Sequence, residues 1–334
     1  MKIRDLLWKE IYQKDIAVNL IMIKNKLNYL KNNNKSYLEN DIYRWLNNSK
    51  IRCKKSTFSN YQYTVNSRII PKFSKIKKKN ITSEIIDNYT FELLDEGLLP
   101  KTVKDILIIL KQILTFAGIK VKVSMPKTEK KVIQVLDRKD QMVLENYIRK
   151  NINRITVGIL ICLYTGIRIG ELCALKEGDI DFKNKKITIK KTLIRIKNLD
   201  NHSDNKTNVI IDNPKSSCSV REIPIPKFIV PILKDVCLKK DFDAFLLTGT
   251  KRYVETITYF NKYKKVLNDL QLPNYNFHAL RHTFSTRCIE NGCDPKTLSE
   301  ILGHSSVKIT LERYVHPSYD NKIKMMNKLK FICN

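Results

Sequence analysis

Two arginines, a set of histidines and one tyrosine stand at spacings that can gather them on a phosphate. Arg168 lies in YTGIRIGEL, just past Gly166 and at the start of a helix. There a guanidinium fork and the N–H groups of a helix end can share one anion. Glu171, one turn further on, can hold that guanidinium, although alone the pair is an ordinary surface ion pair. HALRHTF supplies His278, Arg281 and His282, whose spacings of three and four put them on one helical face, while Leu280, Phe284 and Cys288 can face a core. Histidines at i,i+4 also suit zinc, but the position that HExxH gives to glutamate is Ala279 here. Arg281 would also repel a cation, so no metal site is expected. His304 follows Gly303 in DPKTLSEILGHSS, and Tyr314 comes ten residues later with His316 behind it. Phosphoryl transfer needs charge stabilisation on the non-bridging oxygens, a nucleophile and a proton donor for the leaving oxygen. The arginines supply the first without Mg²⁺, a tyrosine can attack, and a lysine or histidine can protonate what departs.

Composition favours a polyanionic partner for such a site. The chain has 334 residues, with 62 Lys and Arg against 33 Asp and Glu, a formal charge of +29. Residues 1–120 carry 23 basic against 11 acidic side chains and residues 121–334 carry 39 against 22, so the excess is not confined to one tail. Hydrophobic residues make up 43%, enough for ordinary cores and too much for a disordered chain. The longest apolar stretch, Ile155 to Ile167, is too short to span a bilayer, and the N-terminus shows no export signal. Eight cysteines without a CxxC pair read as reduced thiols. These features imply a soluble cytoplasmic protein with no membrane partner.

The elements that must position these residues can be read from periodicity and punctuation. Residues 1–35 read as a helical extension ending in the turn KNNNK. Helices follow from Tyr37 to Leu46, from Ser56 or Thr57 to Ile69 with Pro71 as terminator, from Thr82 or Ser83 to Gly97, and from Pro100 to Ala117. The last has one apolar stripe through Val103, Ile106, Leu107, Leu110, Ile113 and Leu114, with Gly118 as its stop. Residues 119–135 break the pattern and suit a linker. Beyond it, Asp137 and Asp140 mark a helix start, and helices cover 138–150 and 154–164, with another beginning near Ile169. KKITIKKTLIRI, Lys185 to Ile196, alternates as one strand. REIPIP, Arg221 to Pro226, is a second, and the span 197–220 between them is polar. Helix returns from Pro231.

The motifs TGIRIGEL, PKSSCSVREIPIP, HALRHTF, LGHSS and the tyrosine of LERYVH together resemble those of tyrosine recombinases of the phage-integrase family, in the family's order. The likeness covers about residues 36–320 and is greatest to integrases of temperate phages and conjugative transposons. It implies a mainly α, multidomain chain with a small antiparallel sheet. Its parts would be an N-terminal extension (1–35), a helical SAM-like core-binding domain (36–118), a linker (119–135), an α+β catalytic domain (136–320) and a tail helix (321–334). It implies Arg168, Lys215, His278, Arg281 and His304 as the activating set and Tyr314 as nucleophile, with Glu171 and His282 in support. Lys215 would be a general acid in the 197–220 hairpin, with Lys190, Lys191 and Lys206 as rivals. No cofactor or metal is implied. The partners would be duplex DNA gripped by both domains, further copies forming a tetramer on paired sites, and excision or host bending factors. The helical reading of residues 1–35 departs from the small β-rich module with which many such integrases begin. Three other readings stay open on sequence: a type IB topoisomerase-like enzyme, a chromosome-dimer resolvase and a non-catalytic DNA-binding module.

Overall fold

The computed structural model describes residues 36–129, 133–198, 207–212, 220–237 and 241–314, together with Ile323, Met326 and Asn327. The extension 1–35, Lys206, Lys215, His316 and most of the tail therefore lie outside the described residues. The chain divides into two compact units, the first ending at Thr128 and the second beginning at Glu129.

The first unit is helical: α1 (Glu39–Arg52), α2 (Lys55–Thr64), a π turn (Val65–Ile69) running into α3 (Ile70–Phe73), α4 (Ser83–Asp95) and α5 (Pro100–Phe116). Thr82 caps α4 by accepting from the Ile85 N–H, and Gly97, at φ 81°, lets the Leu98 N–H return to the Leu93 carbonyl. α5 has Pro100 in its first turn, and its stripe is buried from Val103 to Leu114. Together with Ile42, Trp45 and Phe73, that stripe makes the core of the unit. Two boundaries differ from the periodicity. α1 continues past Leu46 to Arg52, where Lys50 and Arg52 suit a helix C-terminus. Pro71 does not end its helix, because the Ile70 N–H reaches back to Val65 through the π turn and the missing N–H of Pro71 falls in the first turn of α3.

The second unit is mixed. It contains α6 (Arg138–Lys150), α7 (Arg154–Thr165), α8 (Ile169–Ala174), β1 (Ile180–Asp181), β2 (Lys186–Ile189), β3 (Thr192–Lys197), β4 (Thr207–Asp212) and β5 (Arg221–Pro224), then α9 (Ile229–Val236), α10 (Thr256–Asp269), α11 (His278–Glu290), α12 (Pro295–Leu302) and α13 (Val307–Tyr314). α7 is apolar nearly all round because it runs through the core, and Asn153 caps it. Asp137 caps α6 by accepting from the Asp140 N–H, while the Asp140 carboxylate takes the Tyr275 hydroxyl at 2.7 Å.

Two antiparallel sheets stand where one hairpin was expected. β2 pairs with both β1 and β5, with Ile187 opposite Ile223 and Ile189 opposite Arg221. The run 185–196 is two strands rather than one, interrupted at Lys190 and Lys191, and its second half leaves that sheet to pair with β4. The span 197–220 thus carries strand β4, with Leu193 opposite Ile211. Of the tail, the Asn327 N–H reaches the Ile323 carbonyl at 2.9 Å, one helical turn, with Ile323 and Met326 exposed. No described helix is long and apolar enough to cross a membrane.

Candidate active site

The second unit brings seven of the eight residues singled out by sequence into one region, built on two helix C-termini and one helix face. α7 ends at Gly166 (φ 64°) and α12 at Gly303 (φ 64°), both in the left-handed conformation that stops a helix, and the last carbonyls of a stopped helix lack an N–H from a following turn. A Cβ at Gly166 would come within 2.6 Å of Phe284, so the turn admits only glycine on steric grounds as well. The freed carbonyls hold the arginines. Arg281 donates from Nη1 to the Gly166 carbonyl at 2.6 Å and from Nη2 to the Leu302 carbonyl at 2.8 Å. Arg168 donates from Nη2 to the Gly303 carbonyl at 3.3 Å. The negative ends of two helices thus fix two cations.

Arg281 is the most demanding group in the site. It is 2% exposed, and among the described residues it forms no ion pair with a carboxylate. Burial first, and then the charge of Arg168, push its pKa down to about 9, still cationic at neutral pH. A buried cation held only by neutral carbonyls and facing a second cation is stabilised by an anion.

Arg168 is held differently. Its backbone N–H and its Nη1 donate to the two carboxylate oxygens of Glu171, at 2.9 and 2.8 Å. Glu171 is itself buried and accepts two further bonds from Arg221, at 3.1 and 2.9 Å. Burial would raise this carboxyl, but the hydrogen bonds and charge of Arg221, and then Arg168, hold it below the usual range. Arg221 also donates from Nε to the Ile301 carbonyl, tying β5 to the end of α12. Sequence reading missed Arg221. Its signal was the period of two in REIPI, which puts Arg221 in phase with Ile223 and Ile225 on the buried face of the strand.

The three histidines lie near these cations as neutral rings. His304 follows Gly303, and its Nδ1 is hydrogen-bonded to Thr310 Oγ1 at 2.8 Å. Burial lowers its pKa to about 3, followed by Arg281 and Arg168. His278, at the first turn of α11, is open to solvent yet crowded by protein. Desolvation, then His282 and Arg281, lower it to about 4. His282 is buried, with its ring edge-on to His278 at 4.6 Å between centroids and its Nδ1 2.7 Å from the Tyr314 hydroxyl. Tyr314 ends α13 and packs with Leu298 and Leu302, 7% exposed. Of the eight residues, only Lys215 is not described.

Two cations able to grip non-bridging oxygens, neutral imidazoles able to donate or accept, and a tyrosine hydroxyl together can activate one phosphodiester. Known proteins resemble the chain in sequence and fold. The phage integrase family model matches residues 128–321, and that of the phage integrase N-terminal SAM-like domain matches residues 38–94. A tyrosine recombinase XerC-like protein of Caldanaerobacter subterraneus subsp. tengcongensis is 30% identical over 313 residues, covering 83% of this chain and 78% of that one. The transposase from transposon Tn916 of Enterococcus faecalis is 31% identical over 188 residues, 51% of this chain and 44% of the transposase. Among solved structures, the Tn1549 transposon integrase in complex with transposon right end DNA shares the fold, with a TM-score of 0.71, 22% identity and 88% of this chain covered, 99% of that one.

Proposed function

We propose that this chain, which belongs to the phage integrase family of tyrosine recombinases, uses Arg168, Arg281, His304 and Tyr314 to break and rejoin DNA strands at the recombination sites of a mobile element. The observation that carries the assignment of residues is Arg281: buried, cationic, held by two backbone carbonyls and beside Arg168. A scissile phosphate is the anion that such a pair lacks.

In this reading Arg168 and Arg281 grip the non-bridging oxygens. His304, oriented through the Nδ1 contact with Thr310, donates to the same phosphate from Nε2. Tyr314 Oη attacks phosphorus, the bond to the 5′ oxygen breaks, and Lys215 protonates the departing oxygen. The product is a 3′-phosphotyrosine with a free 5′-hydroxyl, which conserves the phosphodiester bond for rejoining. A 5′-hydroxyl from the partner strand then displaces the tyrosine. Exchange at two duplex sites breaks four strands, and one tyrosine per chain makes the working assembly a tetramer. Both units bind the duplex mostly through phosphate, as their basic excess suits. The enzyme acts in the cytoplasm at the nucleoid.

The test is a nicked duplex from which the freed 5′ fragment diffuses away, trapping the covalent intermediate. Wild-type protein should give an SDS-resistant adduct, and Tyr314→Phe should bind the same DNA and give none. An adduct from Tyr314→Phe would overturn the assignment. A paired-site assay separates recombination from topoisomerase-like relaxation: joined product on two sites supports this reading, and relaxation without exchange contradicts it.

A further inference from the structure

The phosphate-binding roles leave one contact of the site unused. His282 Nδ1 lies 2.7 Å from Tyr314 Oη, with His282 9% and Tyr314 7% exposed, so bulk water competes little for either atom. The imidazole is fixed by its place on α11, one turn after His278, whose ring abuts it edge-on. A phenol keeps its proton at neutral pH, with an ordinary pKa of about 10, and must lose it as its oxygen bonds to phosphorus. An acceptor within hydrogen-bond reach of that proton is the first requirement of a general base. Among the described residues, His282 is the hydrogen-bond partner of the Tyr314 hydroxyl.

We propose that His282 orients the Tyr314 hydroxyl and takes its proton as the protein–DNA bond forms, an inference that rests on Tyr314 being the nucleophile. In the tautomer protonated on Nε2, Nδ1 accepts from the phenol O–H. As the Oη–P bond forms and the P–O5′ bond breaks, the phenol proton passes to Nδ1 and leaves an imidazolium. The departing 5′ oxygen takes its proton from the general acid, not from His282. Rejoining runs the same atoms backwards: an incoming 5′-hydroxyl displaces Oη, and Nδ1 returns the proton to it. Burial, followed by the charges of Arg313 and Arg281, lowers the free imidazole to about 4, so it is neutral and able to accept at pH 7. An anionic phosphate seated on Arg281 offsets that cation, raising the proton affinity of His282 when DNA is bound.

The test uses full-length protein in single-turnover adduct formation at saturating protein, on two trapping duplexes. One has the natural 5′-bridging oxygen at the scissile phosphate, the other a bridging sulfur that leaves without a proton donor. His282→Phe removes the acceptor, whereas His282→Asn keeps a polar acceptor near Nδ1 that cannot take a proton. With single-site DNA affinity unchanged, His282→Phe should cleave about a hundredfold more slowly or worse. His282→Asn should recover only part of the loss, and both deficits should persist on the sulfur substrate. Wild-type rates in His282→Phe, full recovery in His282→Asn, or a deficit that disappears with sulfur would each overturn the proposal. Faster cleavage by His282→Phe would also overturn it, because the contact would then park the tyrosine. A Tyr314→Phe control on the same duplexes separates the two readings: an adduct from it sinks the nucleophile assignment whatever the His282 variants do.

Discussion

The two units differ in how much charge they bury. In the helical unit it faces water: Lys72 pairs with Glu92 at 2.5 Å and Arg68 with Glu96 at 2.5 Å, all four side chains at least a third exposed. The buried acid of that unit's first helix, Asp41, is answered by Lys78 at 2.9 Å and Arg44 at 3.4 Å. In the mixed unit, Glu171, Arg221 and Arg281 are buried, and Arg281 has no carboxylate partner among the described residues. Exposed charge on a helical bundle gives solubility and a field that attracts phosphate backbone at little cost in stability. Charge taken out of water is costly, and in the mixed unit it persists around the tyrosine proposed as nucleophile.

That contrast is broken most severely at Arg281. Arg281→Ala should lower single-turnover cleavage by roughly a thousandfold or more while the protein still binds its site, because the interaction lost is made chiefly in the transition state. Arg281→Lys should recover little, since an ammonium cannot span the Gly166 and Leu302 carbonyls as a planar fork does. Cleavage within a few-fold of wild type in the alanine variant would remove Arg281 from the chemistry.

The buried charge of the mixed unit also bears on stability, through Glu171. Glu171→Gln leaves Arg221 buried without its counter-charge and should cost about 3 kcal/mol or more in denaturant unfolding. The same change loosens Arg168, so cleavage should fall further than unfolding alone explains at temperatures where the variant is folded. A variant as stable as wild type would show that the Arg221–Glu171 pair is not buried in solution.

The smallest effect belongs to the helical unit. Lys72→Ala deletes an exposed ion pair and should change stability by less than about 1 kcal/mol, while weakening DNA binding in a salt-dependent way. A loss in stability as large as that of Glu171→Gln would erase the distinction between the units.

The caps and stripes of the helices were legible because each is encoded within a few residues: Thr82 before α4, and Pro100 and Gly118 around α5. Most of the site was legible too, since HALRHTF and LGHSS carry their chemistry in local spacing. What escaped depends on distant partners. Strand β4 is hidden in a polar span, with only Val209, Ile210 and Ile211 as its apolar content, and exists through its pairing with β3. Arg221 looks like a surface arginine until its strand phase is matched with a carboxylate 50 residues away. Pro71 reads as a terminator because nothing nearby announces the π turn that absorbs it. His282 pairs by spacing with His278, but its hydrogen-bond partner is Tyr314, 32 residues on, which no local periodicity reveals.

In the proposed reaction, this buried, unbalanced charge activates one phosphodiester for attack by one tyrosine. Its most direct test is to digest the trapped protein–DNA adduct of the wild-type enzyme and locate the nucleotide on the peptides by mass spectrometry. The nucleotide should be found on Tyr314 and on no other residue. A modified residue other than Tyr314 would contradict it.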